Sequence, residues 1–326
     1  SGPSARRPRP IVGRVTTDSL PRWFERATTS LPTEHRVSSG GADIHYLAWG
    51  PPGAPGLVFV HGGAAHAHWW SFLVPLLADD HRVAAIDLSG HGDSARRDEY
   101  TLDAWCDEVM AVANDADMAP KPVVVGHSMG GFVSIATAAR HGDELTGIVI
   151  LDSPVSRPDP EVEASRVGKL FANRKVYDDY EDAVARFRTV PEQAHYVPEV
   201  LDWVARHSLV PFHPDDSGAD AGSVTLAGWT WKFDPEIFVP PRSAPRDLLD
   251  QVSCRVALFR AEDGLVTPDI GAYMYERLGR RAPVVEIPEA GHHLMLDQPL
   301  SLLTALRTLL ADWDHSRPAG PAPERA

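Results

Sequence analysis

Cysteine is scarce in this chain of 326 residues, which contains only two, Cys106 and Cys254. Neither belongs to a CxxC pair, so the sequence offers no disulfide framework and no cysteine-based zinc site. We expect both side chains to be buried, reduced thiols.

Long apolar runs are also absent. No stretch reaches the roughly 18 consecutive apolar residues of a membrane-spanning helix. The N-terminal segment 1–10 is polar and rich in proline and arginine, so it lacks the apolar centre of a signal peptide. The default expectation is a cytoplasmic protein. Segments 1–20 and 316–326 have the composition of disordered tails.

Basic residues are outnumbered, since 31 lysines and arginines face 45 aspartates and glutamates, for a formal net charge of −14. This balance argues against nucleic acid and against an anionic membrane surface as partners. With 43% hydrophobic residues, the chain can bury a sizeable core. We expect a globular monomer or homodimer that acts on a small molecule.

What the sequence does contain is a regular alternation of short apolar runs and helical stretches. A hairpin around Gly40 and Gly41 comes first. The later apolar runs are hydrophobic on both faces, as in a parallel sheet covered by helices, so the fold class is α/β with a mostly parallel central sheet. Strands are predicted at 57–62, 82–88, 122–128, 145–153, 255–262 and 283–289, and helices at 21–30, 68–78, 101–117, 129–140, 268–279 and 299–313.

The alternation is interrupted between residues 154 and 245. This region contains prolines and helical patterns but no clear apolar strand. We therefore predict a helical cap at 154–245, inserted into a core formed by 21–153 and 246–315. A cap in this place would cover the crevice at the carboxyl ends of the strands. Its candidate helices are 159–175, 178–189 and 192–209, followed by an irregular tryptophan-rich piece at 228–238.

A G-x-S-x-G motif runs from Gly126 to Gly130, with Ser128 at its centre. Such a motif is weak by composition alone, but here it follows an apolar strand directly and opens a helix. The serine needs a tight turn that projects its hydroxyl, and small neighbours let other segments approach. The free N–H groups of the helix that starts at Met129 favour a developing negative charge. This pattern predicts a nucleophilic serine.

Three further motifs accompany this one: His61-Gly62-Gly63 after the first central strand, D-L-S-G-H-G-D-S at 87–94, and Gly291-His292 near the end. Together the four motifs resemble the α/β-hydrolase superfamily over about residues 35–315. The resemblance implies a serine hydrolase with a helical cap, similar to esterases and lactonases.

A serine hydroxyl needs an adjacent general base. The resemblance implies His292, which follows a glycine in the loop after a strand, with His293 as the alternative. An acid should then orient the imidazole. Asp263, in a D-x-x-V-x-P context after a strand, is the first choice. Asp152 is the main alternative, because some family members place the acid at the end of the preceding strand, and Glu262 is a third.

Two backbone N–H groups are needed to bind an oxyanion. The resemblance implies those of Met129 and Gly63. His61 is expected to be structural. The spacing of His66 and His68 would allow metal binding, but serine chemistry needs no metal, so no metal and no cofactor are expected.

Aromatic residues flank the predicted crevice. Trp69 and Trp70 follow the oxyanion loop, while Trp229 and Trp231 lie in the predicted cap. They either line a pocket for a hydrophobic or aromatic substrate or pack the cap against the core. The sequence leaves both interpretations open.

The predicted reaction is cleavage of a carboxylic ester or lactone through an acyl-enzyme on Ser128. Relatives that open epoxides or haloalkanes use aspartate as nucleophile, so the serine disfavours those reactions. Carbon–carbon bond hydrolases share the S-M-G-G elbow, but this chain has Ala64-Ala65-His66 where they carry Gly-Pro-Gly. Perhydrolase or lyase chemistry and a slow ligand receptor remain further alternatives.

Overall fold

The computed structural model describes residues 20–155, 175–212, 228–238 and 247–316. Its central feature is an eight-stranded sheet in the order β1-β2-β4-β3-β5-β6-β9-β10. All neighbouring strands are parallel except at β2, which is antiparallel to β1 and to β4. The strands span Thr33–Ser39 (β1), Ala42–Trp49 (β2), Gly56–Val60 (β3), Arg82–Ile86 (β4), Val123–His127 (β5), Gly147–Leu151 (β6), Arg255–Asp263 (β9) and Val284–Gly291 (β10).

Apolar side chains fill both faces of the central strands, because each strand points alternate residues to opposite sides. In β3, Leu57 and Phe59 face one hydrophobic core, while Val58 and Val60 face another. The predicted parallel sheet and the hairpin at residues 40–41 are therefore confirmed, since Ser39 pairs with Ala42 across the turn.

Helices cover both faces of the sheet. The helices predicted at 21–30, 101–117, 129–140, 268–279 and 299–313 form close to those bounds, whereas the short helix Leu294–Asp297 was not predicted. Thr101 caps the helix Leu102–Asp115, because its hydroxyl accepts a hydrogen bond from the N–H of Ala104 at 3.1 Å. The helices of the core are Arg22–Thr29 (α1), Leu102–Asp115 (α2), Met129–His141 (α3), Pro268–Arg277 (α6), Leu294–Asp297 (α7) and Pro299–His315 (α8). α1 and α8 contribute to one core, and α2, α3 and α6 to the other.

The predicted helix at 68–78 is wrong. The segment forms two short 3₁₀ turns instead, Ala67–Trp69 and Val74–Leu77. Nearly all of its side chains are buried, so it has no polar face of the kind that an amphipathic helix presents. Pro75 also lacks the N–H group that a continuous helix would use.

The described part of the region between β6 and β9 contains two helices, Tyr180–Ala185 (α4) and Pro198–His207 (α5). It also contains an antiparallel pair of strands, Leu209–Phe212 (β7) and Gly228–Trp231 (β8), which the sequence did not predict. The predicted helix at 159–175 lies almost wholly outside the described residues, as do the predicted disordered tails. The cap and its bounds at 154–245 stay a prediction.

Cys106 is buried and Cys254 half-buried, and both are free thiols. Within the described parts of the chain, no helix has the length and apolar character needed to cross a membrane.

The strand order changes direction at β3, because the chain passes from β3 to β4 on one side and returns to β5 on the other. In open α/β sheets, ligands bind in the crevice at the carboxyl ends of the strands at such a reversal. The loops that follow β3 and β5 meet there, so this edge of the sheet is where a site is expected.

Candidate active site

Ser128 lies at the junction of β5 and α3 in a strained conformation, with φ of 54° and ψ of −118°. This left-handed region is rare for residues other than glycine and is typical of functional turns. The turn is possible because its neighbours are small: a Cβ on Gly126 would lie 2.1 Å from the carbonyl oxygen of Gly130. The half-buried serine is therefore held above the carboxyl end of β5.

The structure brings His292 to this serine. Its Nε2 lies 3.0 Å from Oγ of Ser128, although the two residues are 164 positions apart. His292 follows β10 directly and is almost fully buried, with 3% exposure. A hydroxyl at hydrogen-bond distance from an imidazole nitrogen is the geometry that a general base requires.

The carboxylate bound to His292 belongs to Asp152, directly after β6, with its Oδ2 2.8 Å from Nδ1 of the histidine. Asp152 is fully buried, and its Oδ2 also accepts the N–H of Leu265, while its Oδ1 accepts that of Val266. Burial alone would raise the pKa of this carboxyl. The hydrogen bond and charge of His292, helped by the amides, outweigh burial and hold the pKa below its usual value.

The preferred assignment of the acid to Asp263 is wrong in this geometry. Asp263 and Glu262 are both exposed at the end of β9. The chain beyond Asp263 turns back and supplies the amides that bind Asp152, and a Cβ on Gly264 would lie 2.4 Å from that carboxylate. The D-G-L-V segment therefore binds the candidate acid through backbone amides and does not supply it. Asp152, the second choice from the sequence, lies next to His292 instead.

The loop after β3 lies beside the elbow. A Cβ on Gly62 would lie 3.3 Å from Cβ of Ser128, and one on Gly63 would lie 3.8 Å from Sδ of Met129. Glycine at both positions thus allows the backbone to approach the serine closely. Met129 is the first residue of α3, where backbone N–H groups have no partner within the helix.

A buried network fixes this loop. His61 donates from Nδ1 to the carbonyl of Gly62 at 2.7 Å and accepts the N–H of Leu88 at Nε2, which is the structural arrangement expected of it. Asp87, at the end of β4, accepts the N–H of Ala67 at 2.6 Å and pairs with Nδ1 of His45 at 2.7 Å. The loops after β3 and β4 are therefore tied together.

Two further histidines, His127 and His293, pack against His292. The sequence pointed to no role for His127 and offered His293 only as the alternative base. His127 donates from Nε2 to the carbonyl of His292 at 2.9 Å, and burial lowers its pKa to about 3. Burial, followed by the neighbouring His292 and His127, lowers the pKa of His293 well below its usual value, against an opposing contribution from the carbonyls of Val190 and Pro191. Both rings are uncharged at neutral pH.

Gln193, in the region between β6 and β9, holds the loop that carries His292. Its Oε1 accepts the N–H of His293 at 2.9 Å, and its Nε2 donates to Asp297 at 2.8 Å. Asp297 in turn accepts the N–H of Gly291 at 2.6 Å, and burial raises its pKa to about 6. No sequence motif pointed to Gln193, because its partners are about 100 residues away.

His66 and His68 do not converge on a common centre. Nε2 of His66 bonds to Oγ of Ser208 at 2.8 Å, and His68 stacks on His207 with ring centroids 4.3 Å apart. Their spacing reflects packing of the 3₁₀ turn at residues 67–69 against α5.

The four tryptophans singled out from the sequence lie in different environments in the structure. Trp70 is completely buried against Phe59 of β3, so packing, one of the two interpretations left open, describes it, and it does not line a pocket among the described residues. Trp69 is also buried and packs against His293, with ring centroids 5.4 Å apart. Trp229 packs edge-on against Tyr180.

Trp231 borders a cavity of about 340 Å³, which is lined by apolar side chains, such as Val210 and Phe233, and by the charged side chains of Arg96 and Lys232. Phe233 meets Phe238 edge-on, with ring centroids 6.2 Å apart. Phe238 lies 3.3 Å from where a Cβ on Gly63 would be. An aromatic pair, which the sequence did not single out, thus separates this cavity from the loop after β3.

A family model described as the alpha/beta hydrolase family matches residues 57–305 of the chain. This range covers most of the sequence and contains both Ser128 and His292. The chain belongs to this family and is a hydrolase, as the motifs predicted.

Curated relatives match over most of their length. The chain is 27% identical to the lipase LipV of Mycobacterium tuberculosis, covering 82% of this chain and 98% of the lipase. It is also 27% identical to the esterase Rv0045c of the same organism, covering 86% and 90%. Among solved structures, E-2-(acetamidomethylene)succinate hydrolase superposes with a TM-score of 0.70 at 22% identity, covering 86% of this chain and 99% of that one. This last similarity shows the fold alone.

Proposed function

We propose that this protein is a serine hydrolase that cleaves carboxylic esters or lactones of small hydrophobic substrates. The observation that carries the proposal is the continuous hydrogen-bonded series from Oγ of Ser128 through His292 to Asp152, with distances of 3.0 and 2.8 Å. The names of the esterase and lipase relatives support the same class of reaction.

In the proposed first step, Nε2 of His292 removes the proton from Ser128 as Oγ attacks the substrate carbonyl carbon. Asp152 keeps the proton on Nδ1 and stabilises the imidazolium. The protonated His292 then donates to the leaving alcohol, which leaves an acyl group on Ser128. A water molecule, deprotonated by His292, hydrolyses this acyl-enzyme and restores the serine.

The backbone amides of Gly63 and Met129 bind the oxyanion in this proposal. Each such donor is worth about 10²–10³-fold in rate. Met129 is suited to the role because its N–H stands at the amino end of α3, where the helix dipole favours negative charge.

The aromatic residues near the loop after β3 favour an apolar substrate. Phe238 lies beside Gly63, and Phe233 and Trp231 border the adjacent cavity. These aromatic side chains gain free energy from burying alkyl or aryl groups, at about 25 cal/mol per Å² of apolar surface, although Arg96 and Lys232 also line the cavity. We therefore infer that chain length and hydrophobicity decide which esters are used.

The proposal is tested by Ser128→Ala with p-nitrophenyl butyrate and a panel of lactones. The expected loss of kcat is at least about 10⁴-fold, because the nucleophile is gone, with the fold preserved by circular dichroism. A fluorophosphonate probe should label the wild type and not the variant. Hydrolysis at an unchanged rate by the variant, or labelling of another serine, would contradict the proposal.

A further inference from the structure

The cavity of about 340 Å³ beside Trp231 lies where the region between β6 and β9 meets the loop after β4. Gly92 in that loop donates its N–H to the carbonyl of Lys232 at 2.8 Å, and Asp234 donates its N–H to the carbonyl of Gly90 at 2.8 Å. These backbone hydrogen bonds join the two walls of the cavity. Its volume is within the range of sites that bind small molecules.

Two cationic side chains, Lys232 and Arg96, line this cavity. The side chain of Lys232 is only 16% exposed, and its Nζ donates to Asp93 at 2.9 Å, which uses one of its three N–H groups. Nε of Arg96 lies 3.8 Å from Oδ2 of Asp234, which is too far for a hydrogen bond. Among the described residues, both cations therefore keep N–H donors that no acceptor uses.

The two aspartates beside these cations face other partners. Oδ2 of Asp234 accepts the hydroxyl of Tyr100 at 2.9 Å, and its Oδ1 accepts the N–H of Glu236 at 3.2 Å. The described residues that line the cavity include neither Asp234 nor Asp93. The cavity therefore presents positive charge. Because two cations and two aspartates balance, a ligand group with one negative charge is bound at lower electrostatic cost than a phosphate with nearly two.

The cavity is adjacent to the proposed oxyanion loop. Phe233 lines it and meets Phe238 edge-on, with ring centroids 6.2 Å apart, and Phe238 lies 3.3 Å from where a Cβ on Gly63 would be. His91 also lines it and packs against His61, with ring centroids 4.7 Å between them. A substrate whose carbonyl is bound at Gly63 can thus extend along two aromatic rings toward the two cations.

We propose that this cavity binds a carboxylate at the far end of the substrate, with Lys232 and Arg96 as its partners. The rings of Phe233 and Phe238 contact the alkyl chain that links this carboxylate to the ester. A carboxylate suits these partners because a guanidinium binds it through two parallel N–H groups and an ammonium supplies a point charge. The inference rests on the proposed function and names a substrate class for it, the monoesters of medium-length dicarboxylic acids.

The far carboxylate is tested with two p-nitrophenyl esters of equal carbon number, the octanoate, which ends in a methyl group, and the hydrogen suberate, which ends in a carboxyl group. Near pH 7.5 this carboxyl is ionised. The wild type should prefer the hydrogen suberate by about tenfold in kcat/KM, mainly through a lower KM, because charge-assisted hydrogen bonds form. The net charge of −14 would by itself repel an anion. An equal or lower kcat/KM for the hydrogen suberate overturns the subsite.

The two cations are tested by substitutions that keep an unbranched side chain and remove its charge. Lys232→Met should lower the preference for the hydrogen suberate by about tenfold, and Arg96→Met, at a more exposed side chain, by about threefold. Lys121→Met is the matched control, because this exposed lysine precedes β5 at the opposite edge of the sheet, and it should leave the preference unchanged. An unchanged preference in both cavity variants overturns the assignment.

Asp93→Asn tests the same subsite in the opposite direction. It removes the carboxylate that competes for Lys232, so the preference for the hydrogen suberate should rise. A purely structural role of this ion pair would not produce a gain. A fall in the preference overturns the subsite, even if Lys232→Met does not fold.

Chain length and the kind of anion are tested next. The preference for p-nitrophenyl hydrogen adipate over the hexanoate should be smaller than that for the suberate over the octanoate, because the shorter chain ends beside the aromatic pair. An equal preference at both lengths overturns the subsite. A chain of the suberate's length that ends in phosphate should be a poorer substrate, and a better one would overturn the assignment to a carboxylate.

Binding is measured apart from hydrolysis with two amides, suberanilic acid and octanoic anilide, by calorimetry on the wild type. Suberanilic acid should bind about tenfold more tightly, and this advantage should be lost in Lys232→Met. Equal binding of the two amides, together with an inactive Ser128→Ala, overturns the subsite alone. Hydrolysis of both esters by Ser128→Ala at the wild-type rate, with the binding advantage retained, overturns the proposed function alone.

Discussion

Two buried aspartate–histidine pairs lie in this molecule and differ in what surrounds them. Asp152 follows β6 and bonds to His292 at 2.8 Å, and Asp87 follows β4 and bonds to His45 at 2.7 Å. Both carboxylates accept backbone amides as well, and the histidine partner lowers the pKa of each despite burial. In the histidine partner, the accepted amides and the direction of the carboxyl pKa shift, the two pairs are alike.

The two pairs differ in the hydrogen bonding of the serine beside each of them. Ser128 has a left-handed backbone conformation, and its hydroxyl faces Nε2 of His292. Ser94, next to the other pair, donates its hydroxyl to the carbonyl of Asp87 at 2.6 Å and accepts the backbone N–H of His45 at 2.7 Å. Its hydroxyl is thus engaged by the backbone and unavailable to an imidazole. An acid and a histidine become a candidate catalytic pair only where the turn presents a free hydroxyl.

The largest effect that would sharpen this comparison is expected from Asp152→Asn. The amide cannot stabilise an imidazolium, so kcat for p-nitrophenyl butyrate should fall by about 10³–10⁴-fold. Asp263→Asn is the matched control, since this exposed carboxylate should leave turnover near wild type and stability within about 0.5 kcal/mol. The opposite ranking of the two variants would restore Asp263 as the acid.

An intermediate effect is expected from Asp87→Asn, and it should be on stability. Removing one partner of a buried ion pair typically costs about 3–5 kcal/mol, and Asp87 also holds the N–H of Ala67. Urea unfolding should show a lower midpoint with an unchanged slope, while kcat of the folded fraction stays much closer to wild type than in Asp152→Asn. A loss of turnover as deep as that of Asp152→Asn, without loss of stability, would mean that both pairs act in the reaction.

The smallest effect concerns pH. Burial opposes the charge on His45, but the hydrogen bond and charge of Asp87 raise its pKa above 6.5. The charged form therefore stabilises the fold fully below pH 6.5, and this contribution is lost as pH rises through the folded pKa. The difference in unfolding free energy between wild type and His45→Gln should be largest near pH 5.5 and shrink toward pH 8.5. A difference that grows with pH would show that His45 is uncharged in the fold.

The parallel sheet, the nucleophile and the base could be predicted from the sequence because each has a local pattern. Strands with both faces apolar, such as Val123–Val125, predict a buried parallel sheet. Ser128 and His292 lie in local motifs that predict their position at the edge of that sheet. The strands β7 and β8 could not be predicted because each has only four residues, too few for a clear sequence pattern, and each is a strand only through its hydrogen bonds to the other.

The acid could not be settled from the sequence because an aspartate stands at or directly after the end of two strands. β6 ends before Asp152, which is left buried beneath the neighbouring loop. β9 continues to Asp263, which therefore projects into solvent. Which aspartate reaches His292 depends on how far each strand extends past its neighbour, and this is a property of the assembled sheet.

The glutamine between β6 and β9 has a practical consequence for protein engineering. Gln193 is hydrogen-bonded to the backbone of His293 and to Asp297. The region between β6 and β9 therefore positions the loop that carries His292. Exchanging this region with that of a relative, to change which esters are accepted, would also displace the imidazole. A chimera that retains the native segment 190–197 should keep its turnover, whereas one that replaces it would need a second change around Asp297.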